Sequence, residues 1–240
     1  MTPNLLDHLF VLLVLVLAFP IGGWWAYRRF LARLERDGER ALVREYRITL
    51  VWLIGLGAGT LAIWLAGGRD LAALGLAAPH EGPATQLIFG LAGGASIGLI
   101  LRPVAAAISS KIAAGLRRQM GKLEAFLPKT GEQLAWGLIV SIFAGLCEEI
   151  AYRGYLIPYC RFWLSEWPAL VVAALLFGIA HLYQGAAGVL LTALLGLGFG
   201  FIYVETGSLA LPMALHALVD ISAMVTAWIV LRPVAREGTG

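Results

Sequence analysis

Seven long apolar runs constrain the fold of this chain more than any other feature of its sequence. They fall near residues 5–26, 48–66, 86–101, 134–158, 168–184, 186–204 and 208–231. A helix that crosses a bilayer needs about 20 mostly apolar residues, because the hydrocarbon core is about 30 Å thick. The sequence therefore predicts an all-α, polytopic transmembrane helix bundle of about seven spans, with six to eight as the permitted range.

The composition supports one membrane domain over the whole chain, residues 1–240. Of these residues 60% are hydrophobic and 14% are charged, against about 45–50% and about 25% in soluble domains. A soluble fold could not bury so much apolar surface, so the lipid bilayer is the expected surrounding. The net charge of +3 requires no nucleic acid as a partner.

Basic residues are concentrated in three regions that alternate regularly with the spans. Segment 27–47, segment 102–133 and the C-terminal tail with Arg232 and Arg236 hold fifteen of the eighteen lysines and arginines. Basic loops face the cytoplasm. This pattern predicts a multi-pass protein of a prokaryotic plasma membrane, with its N-terminus outside and its C-terminus inside. Segment 27–47 is interpreted either as an amphipathic cytoplasmic segment on the lipid surface or as an ordinary basic loop.

Only a few ionisable residues remain inside the later apolar runs. They are Glu148, Glu149, Arg153, His181, His216 and Asp220. Charged residues at the centre of a membrane helix cost about 2.5–3.5 kcal/mol each on insertion scales, and they commonly mark functional sites. Each one alone has a structural explanation, but together they place the candidate site among the later helices.

The spacing of the two adjacent glutamates separates their expected roles. Glu149 and Arg153 are four residues apart, so they can pair on one helix face. Glu148 points about 100° away and is the surplus carboxylate. His216 and Asp220 are also four residues apart, and an aspartate there can orient the histidine ring. Such a set of groups is expected where water is activated and a developing charge is stabilised.

These residues also form three motifs that resemble the CPBP intramembrane proteases, the family of the type II CAAX prenyl proteases and the bacteriocin-processing proteins. Glu148, Glu149 and Arg153 match E-E-x-x-x-R, and Phe177 with His181 matches F-x-x-x-H. His216 and Asp220 match H-x-x-x-N or H-x-x-x-D, after the lead-in "TGSLALPMALHALVD". The resemblance covers a motif-bearing catalytic core, residues 134–231.

The resemblance implies hydrolysis of a peptide bond inside the bilayer, in a membrane-associated protein or peptide substrate. It implies that Glu148 is the general base and shares a water with His181, while His216 and Asp220 face the oxyanion. Glu149, Arg153 and Phe177 would give structural support. It also implies a glutamate-type protease without a metal or other cofactor. Because prenyl-processing members usually carry Asn at the last motif position, Asp220 weakens a specific CAAX assignment.

Several other functions stay open at this stage. Two histidines and several carboxylates could bind zinc, although H-E-x-x-H is absent. The "GASIG" sequence around Ser96 resembles a serine-hydrolase motif, but close helix packing also explains it. A proton-coupled transporter, a bis-histidine haem protein or a non-catalytic relative that binds membrane helices, in an immunity or scaffold role, could carry similar residues. The expected spans also place His181 near the cytoplasmic edge, shallower than Glu148.

Overall fold

The computed structural model describes residues 1–232, and Arg236 of the basic tail lies outside the described residues. Six of its helices are long and apolar enough to cross a membrane, and a seventh apolar helix is shorter. In chain order they are α1 Leu5–Asp37, α2 Arg40–Ala66, α3 Pro83–Ile108, α5 Gly131–Cys160, α6 Glu166–Ala180, α7 Leu182–Thr206 and α8 Ala210–Leu231, with the surface helix α4 Ser110–Met120 between α3 and α5. The predicted polytopic helix bundle is confirmed.

Helix α5 lies at the centre of the bundle and packs most closely against α2 and α8. Half of its most apolar stretch is buried, which is the largest share among the six long helices of the described chain. A Cβ on Gly145 would lie 2.8 Å from the Met213 carbonyl oxygen and from the Ala217 nitrogen of α8. Small residues let membrane helices approach in this way. Gly145 therefore sets the distance between α5 and α8 next to the predicted site.

The ladder of α5 changes from α to π geometry over Ile150–Leu156, directly after the two glutamates. All seven residues of this π segment are buried. π turns are rare and occur frequently at functional sites, because they alter the direction of the side chains around them. The segment contains Arg153, so the change of geometry falls within the first predicted motif.

Helix α6 is the shortest of the apolar helices. The sequence predicted a span at 168–184, but the helix begins at Glu166 and ends at Ala180. Its 15 residues extend about 22 Å, less than the hydrocarbon thickness of about 30 Å. Irregular backbone is tolerated inside a membrane only where protein or a cavity surrounds it. The structure therefore places His181 directly after the end of α6, and its depth in the bilayer relative to Glu148 stays a prediction.

The basic segment 27–47 is divided between the ends of two long helices. Helix α1 continues to Asp37, and α2 begins at Arg40 after Gly38, whose φ of 63° favours glycine. The inner face of this hairpin is buried through Phe30, Leu42 and Tyr46, and Arg33 pairs with Glu45. The segment thus forms a helical hairpin, where the sequence suggested a surface segment or a loop.

Arginines stack on tryptophans near that hairpin and near the other basic regions. The pairs are Arg28 on Trp24, Arg29 on Trp25, Arg47 on Trp136 and Arg232 on Trp228, at 3.4–4.9 Å from the ring centroids. Tryptophan is enriched where a protein crosses the membrane surface, and arginine is enriched in the cytoplasmic loops beside that surface. Helix α4, which has no buried residue, belongs to the same basic side.

The first helix is attached to α5 by a buried ion pair on the opposite side of the bundle. Arg69 donates two hydrogen bonds to the buried Asp7 carboxylate, at 2.7 and 2.5 Å. These hydrogen bonds hold the pKa of the Arg69 guanidinium above its ordinary value. The Tyr155 hydroxyl of α5 donates to the same carboxylate at 2.6 Å. Residues far apart in sequence therefore fix α1 against the helix that carries the glutamates.

Candidate active site

The ring of His216 lies at the centre of the candidate site. Its Nδ1 atom is 2.7 Å from Oε1 of Glu149. Its Nε2 atom is 3.7 Å from Oε2 of Glu148 and 3.8 Å from Oδ2 of Asp220. The last two distances are too long for hydrogen bonds but leave all three carboxylates around one imidazole. The structure thus brings together the first and third predicted motifs.

Glu149 and Arg153 form the ion pair that their spacing predicts. Arg153 Nη1 donates to Glu149 Oε1 at 2.8 Å, and both side chains are almost completely buried. The same Oε1 atom accepts the Nδ1 proton of His216. Glu149 therefore does more than neutralise Arg153, because it also fixes the orientation of the His216 ring, as a carboxylate does for many catalytic histidines.

Glu148 is the carboxylate without a basic partner on its own helix, as the sequence predicts. Within the described residues it forms no hydrogen bond, and its nearest basic atom is His216 Nε2 at 3.7 Å. Its side chain keeps 12% of its surface exposed, whereas that of Glu149 keeps none. Two adjacent residues of one helix therefore hold one carboxylate whose Oε1 atom is committed to internal pairing and one carboxylate that remains available.

His181 lies in the turn after α6, where its ring is fixed by the residue one turn earlier. Its Nδ1 atom donates to the Phe177 carbonyl oxygen at 2.8 Å, so a neutral ring presents Nε2 as an acceptor. The Phe177 ring lies 4.9 Å from the His181 ring and 5.9 Å from the His216 ring, measured between centroids. His181 also interacts electrostatically with His216, Asp220 and Arg153.

His181 and Glu148 lie at similar distances along their helices from the loop that joins α5 and α6. His181 follows the 15 residues of α6, about 22 Å from its start at Glu166. Glu148 lies twelve residues before the end of α5 at Cys160, which corresponds to about 18 Å. The short loop 161–165 joins these two helix ends, so the two residues are separated from it by similar lengths of helix, about 18–22 Å. The second motif therefore reaches the site.

Asp220 does not hold the His216 ring in the way that its spacing suggested. Oδ2 of Asp220 is 3.8 Å from Nε2 of His216, which is too far for a hydrogen bond, and Nδ1 of His216 is bonded to Glu149. The Asp220 side chain is 37% exposed, and it interacts electrostatically with His216, Glu148 and His181. Asp220 therefore lies at the open edge of the site, while Glu149 orients the histidine.

One aromatic residue that sequence reasoning missed, Phe199, completes the walls of the site beside Phe177. Phe199 of α7 stacks on His216 with centroids 5.4 Å apart and an angle of 22°. The guanidinium of Arg153 lies 4.2 Å from the Phe177 centroid and 5.5 Å from that of Phe199. Nothing in the apolar sequence "LGFGF" distinguishes Phe199 from an ordinary packing residue. Only the approach of α7 to α8 assigns it to the site.

The structure bears on two of the alternative sites, the serine-hydrolase motif around Ser96 and a metal site. The Ser96 hydroxyl donates to the Ala92 carbonyl oxygen one turn earlier, at 2.8 Å, which is a common packing role for serine in membrane helices. Over the part of the chain that the structure describes, no group of three or more His, Cys, Asp or Glu residues is arranged to hold a metal ion. Whether activity depends on a metal stays a prediction.

Comparison with known proteins gives one family match, over part of the chain. The family model described as Rce1-like, type II CAAX prenyl endopeptidase, matches residues 130–222. No curated protein and no solved structure matches the chain. The matched segment begins at α5 and includes all three motifs, so the resemblance to the CPBP intramembrane proteases is confirmed over these residues.

Proposed function

We propose that this chain, whose residues 130–222 match the Rce1-like family of type II CAAX prenyl endopeptidases, is an intramembrane endopeptidase in which Glu148 activates water. The observation that carries the proposal is the contrast between Glu148 and Glu149. Glu149 Oε1 is bonded to both Arg153 and His216, while Glu148 has no hydrogen bond within the described residues. A general base must be free to accept a proton, and Glu148 meets this condition.

In the proposed reaction Glu148 and His181 hold one water molecule between them. The water donates one O–H to the Glu148 carboxylate and the other to Nε2 of His181, whose Nδ1 proton is donated to Phe177. Glu148 takes a proton as the water oxygen forms a bond with the carbonyl carbon of the substrate. When the intermediate collapses, that proton passes to the nitrogen of the leaving peptide, and the C–N bond breaks.

His216 stabilises the oxyanion of the tetrahedral intermediate. In its imidazolium form Nδ1–H remains bonded to Glu149, and Nε2–H points toward the space beside Glu148 and Asp220. When His216 is an imidazolium, the site sums to a net charge of −1 over Glu148, Glu149, Asp220, Arg153 and His216. When the His216 ring is neutral, the sum is −2. A buried anionic intermediate favours the smaller negative charge. A donor of this kind typically contributes about 10²–10³ in rate.

Asp220 acts on His216 by charge and does not act on the oxyanion. An ionised carboxylate beside an oxyanion would repel it, and the partly exposed position of Asp220 places its charge at the edge of the site. The expected substrate is a membrane-associated protein or peptide. The family description names prenylated substrates, and Asp220 departs from the Asn that is usual in prenyl-processing members, so the proposal does not require a prenyl group.

The proposed setting is a cell membrane, with the basic hairpin 27–47 and helix α4 on the cytoplasmic side. The arginine–tryptophan pairs support a membrane surface at that end of the bundle. The N-terminus then lies outside, and the positive-inside rule gives the orientation.

Incubation of the purified protein with a membrane-peptide library, followed by mass spectrometry of the products, tests the function. We expect cleaved peptides with the wild-type protein and none with Glu148→Gln. Glu132→Gln is the matched control, because Glu132 is exposed in the first turn of the same helix. The same products from Glu148→Gln would contradict the proposed mechanism. A library that stays intact with every variant would favour a non-catalytic relative that binds membrane helices.

A further inference from the structure

Tyr152 carries a buried hydroxyl group that the described protein does not satisfy. The side chain is 1% exposed, and its hydroxyl has no hydrogen-bond partner among residues 1–232. More than about 90% of buried polar groups in proteins have a partner in the protein or in ordered water. A membrane protein has particular reason to satisfy such groups, because lipid offers no substitute. The hydroxyl therefore indicates a partner that is not part of the chain.

The position of Tyr152 relates this hydroxyl to the candidate site. Tyr152 follows Glu148 by four residues, and the π segment beginning at Ile150 widens the turn between them. Residues four to five apart share a face in such a turn. Tyr152 interacts electrostatically with Glu148 and with Arg153. Its hydroxyl is therefore on the side of α5 that carries the available carboxylate.

Ring contacts place Tyr152 on the same aromatic wall as the two histidines. Its ring packs edge-on against Phe177, with centroids 5.1 Å apart and an angle of 66°. The Phe177 ring also contacts the rings of His181 and His216. Tyr152, His181 and His216 thus surround one phenylalanine and come from three different helices or their ends.

A second buried tyrosine of the same segment shows that an unsatisfied hydroxyl is not a general property of α5. Tyr155 is fully buried, but its hydroxyl donates to Asp7 at 2.6 Å. The π segment can therefore satisfy a tyrosine where the surrounding helices supply an acceptor. Tyr152 differs because its neighbours are the groups of the site.

We propose that the Tyr152 hydroxyl donates a hydrogen bond to the water that Glu148 activates, which makes Tyr152 a further catalytic residue; this rests on the proposed function. The water then has a defined partner in three directions, since it donates to Glu148 and to Nε2 of His181 and accepts from Tyr152. Its remaining lone pair points at the substrate carbonyl carbon. The water proton goes to Glu148, the oxygen bonds to the carbon, and Tyr152 keeps its own proton throughout.

Tyr152→Phe tests the proposal because it removes the hydroxyl and keeps the ring that packs on Phe177. With a peptide selected from the membrane-peptide library, we expect kcat to fall by about 10- to 100-fold, as for a misplaced reacting group. KM and the melting temperature should stay at their wild-type values. Tyr155→Phe is the matched control, and it should lower the melting temperature through the loss of the Asp7 hydrogen bond while the folded fraction keeps the wild-type kcat.

The outcomes separate this proposal from the proposed function. A wild-type kcat in Tyr152→Phe, with Glu148→Gln inactive, would overturn the role of Tyr152 and leave Glu148 as the base. A fall in kcat that is matched by a fall in melting temperature would also overturn it, since the hydroxyl would then be structural. An active Glu148→Gln variant would instead contradict the proposed function itself.

Discussion

Oε1 of Glu149 accepts hydrogen bonds from two residues at once, Nη1 of Arg153 at 2.8 Å and Nδ1 of His216 at 2.7 Å. One carboxylate oxygen thereby joins a cation on its own helix to the imidazole of α8. Both bonds are charge-assisted when Glu149 is ionised, which makes them shorter and stronger than neutral ones. Glu149 thus fixes the position of the His216 ring beside Glu148.

Substitutions at Glu148 and Arg153 should have opposite effects on activity and stability. Glu148→Gln removes the base without stranding a charge, so the folded yield should stay near that of the wild type while hydrolysis is lost. Arg153→Ala leaves Glu149 buried without its partner, and breaking a buried pair costs about 3–5 kcal/mol. Yield and thermal unfolding of both variants in the same detergent measure this difference. A stable Arg153→Ala with an unfolded Glu148→Gln would reverse the two assignments.

Asp220 should tolerate replacement by asparagine better than by alanine. Both replacements remove the charge, but the amide oxygen of Asn still presents a dipole to the His216 imidazolium and Ala presents none, so Asp220→Asn should retain partial activity and Asp220→Ala should lose more. Activity should also survive prolonged chelation, with no stoichiometric metal in the purified protein. Rates before and after chelation, together with elemental analysis of the wild type and Asp220→Asn, check both points. One equivalent of zinc that is needed for turnover and lost in the variant would exclude a glutamate-type mechanism.

The close approach of α5 to α8 should be sensitive to a single methyl group. In Gly145→Ala the new Cβ would lie 2.8 Å from two backbone atoms of α8, so the helices must move apart. Because His216 of α8 is bonded to Glu149 of α5, we expect a loss of activity of about tenfold or more and a lower melting temperature. Gly90→Ala is the control, since a Cβ added to Gly90 of α3 would have no atom from another part of the chain within 4 Å. Equal behaviour of the two variants would show that the α5–α8 distance is not critical.

The ion pair between Arg69 and Asp7 should contribute far more to stability than an exposed pair. Arg69→Ala leaves the fully buried Asp7 carboxylate without its bidentate partner, and we expect a loss of about 3–5 kcal/mol. Arg161→Ala removes the exposed pair with Glu166 and should cost at most about 1 kcal/mol. Thermal unfolding of the two variants provides the comparison. Similar melting temperatures would mean that Asp7 finds another partner when Arg69 is absent.

The orientation in the membrane can be tested on whole cells. Single cysteines introduced into the hairpin at Asp37, which is exposed, and into α4 should not react with an impermeant thiol reagent until the cells are opened. A cysteine in the 67–82 loop should react at once, because that loop lies at the other end of the bundle. The native Cys147 and Cys160 are both buried, so the protein without an introduced cysteine gives the background level of labelling. Labelling of Asp37→Cys from outside would overturn the proposed topology.

The sequence by itself determined the class of fold and most residues of the site. Long apolar runs allow only spanning helices in a bilayer, because lipid cannot satisfy an exposed backbone. The i,i+4 spacing of Glu149 and Arg153 likewise determined their pairing and left Glu148 without a basic partner, since a helix fixes which neighbours share a face. These are local relations, and local geometry can be calculated from spacing alone.

The tertiary structure decided how the three motifs meet. His216 is held by Glu149 of another helix and not by Asp220 one turn away, because Gly145 lets α8 approach α5 closely. The early end of α6 places His181 beside the Phe177 ring that also contacts His216, and Phe199 reaches His216 only through the packing of α7. Contacts between helices depend on tilt, approach and side-chain volume summed over the whole bundle. No spacing within a single segment contains that information.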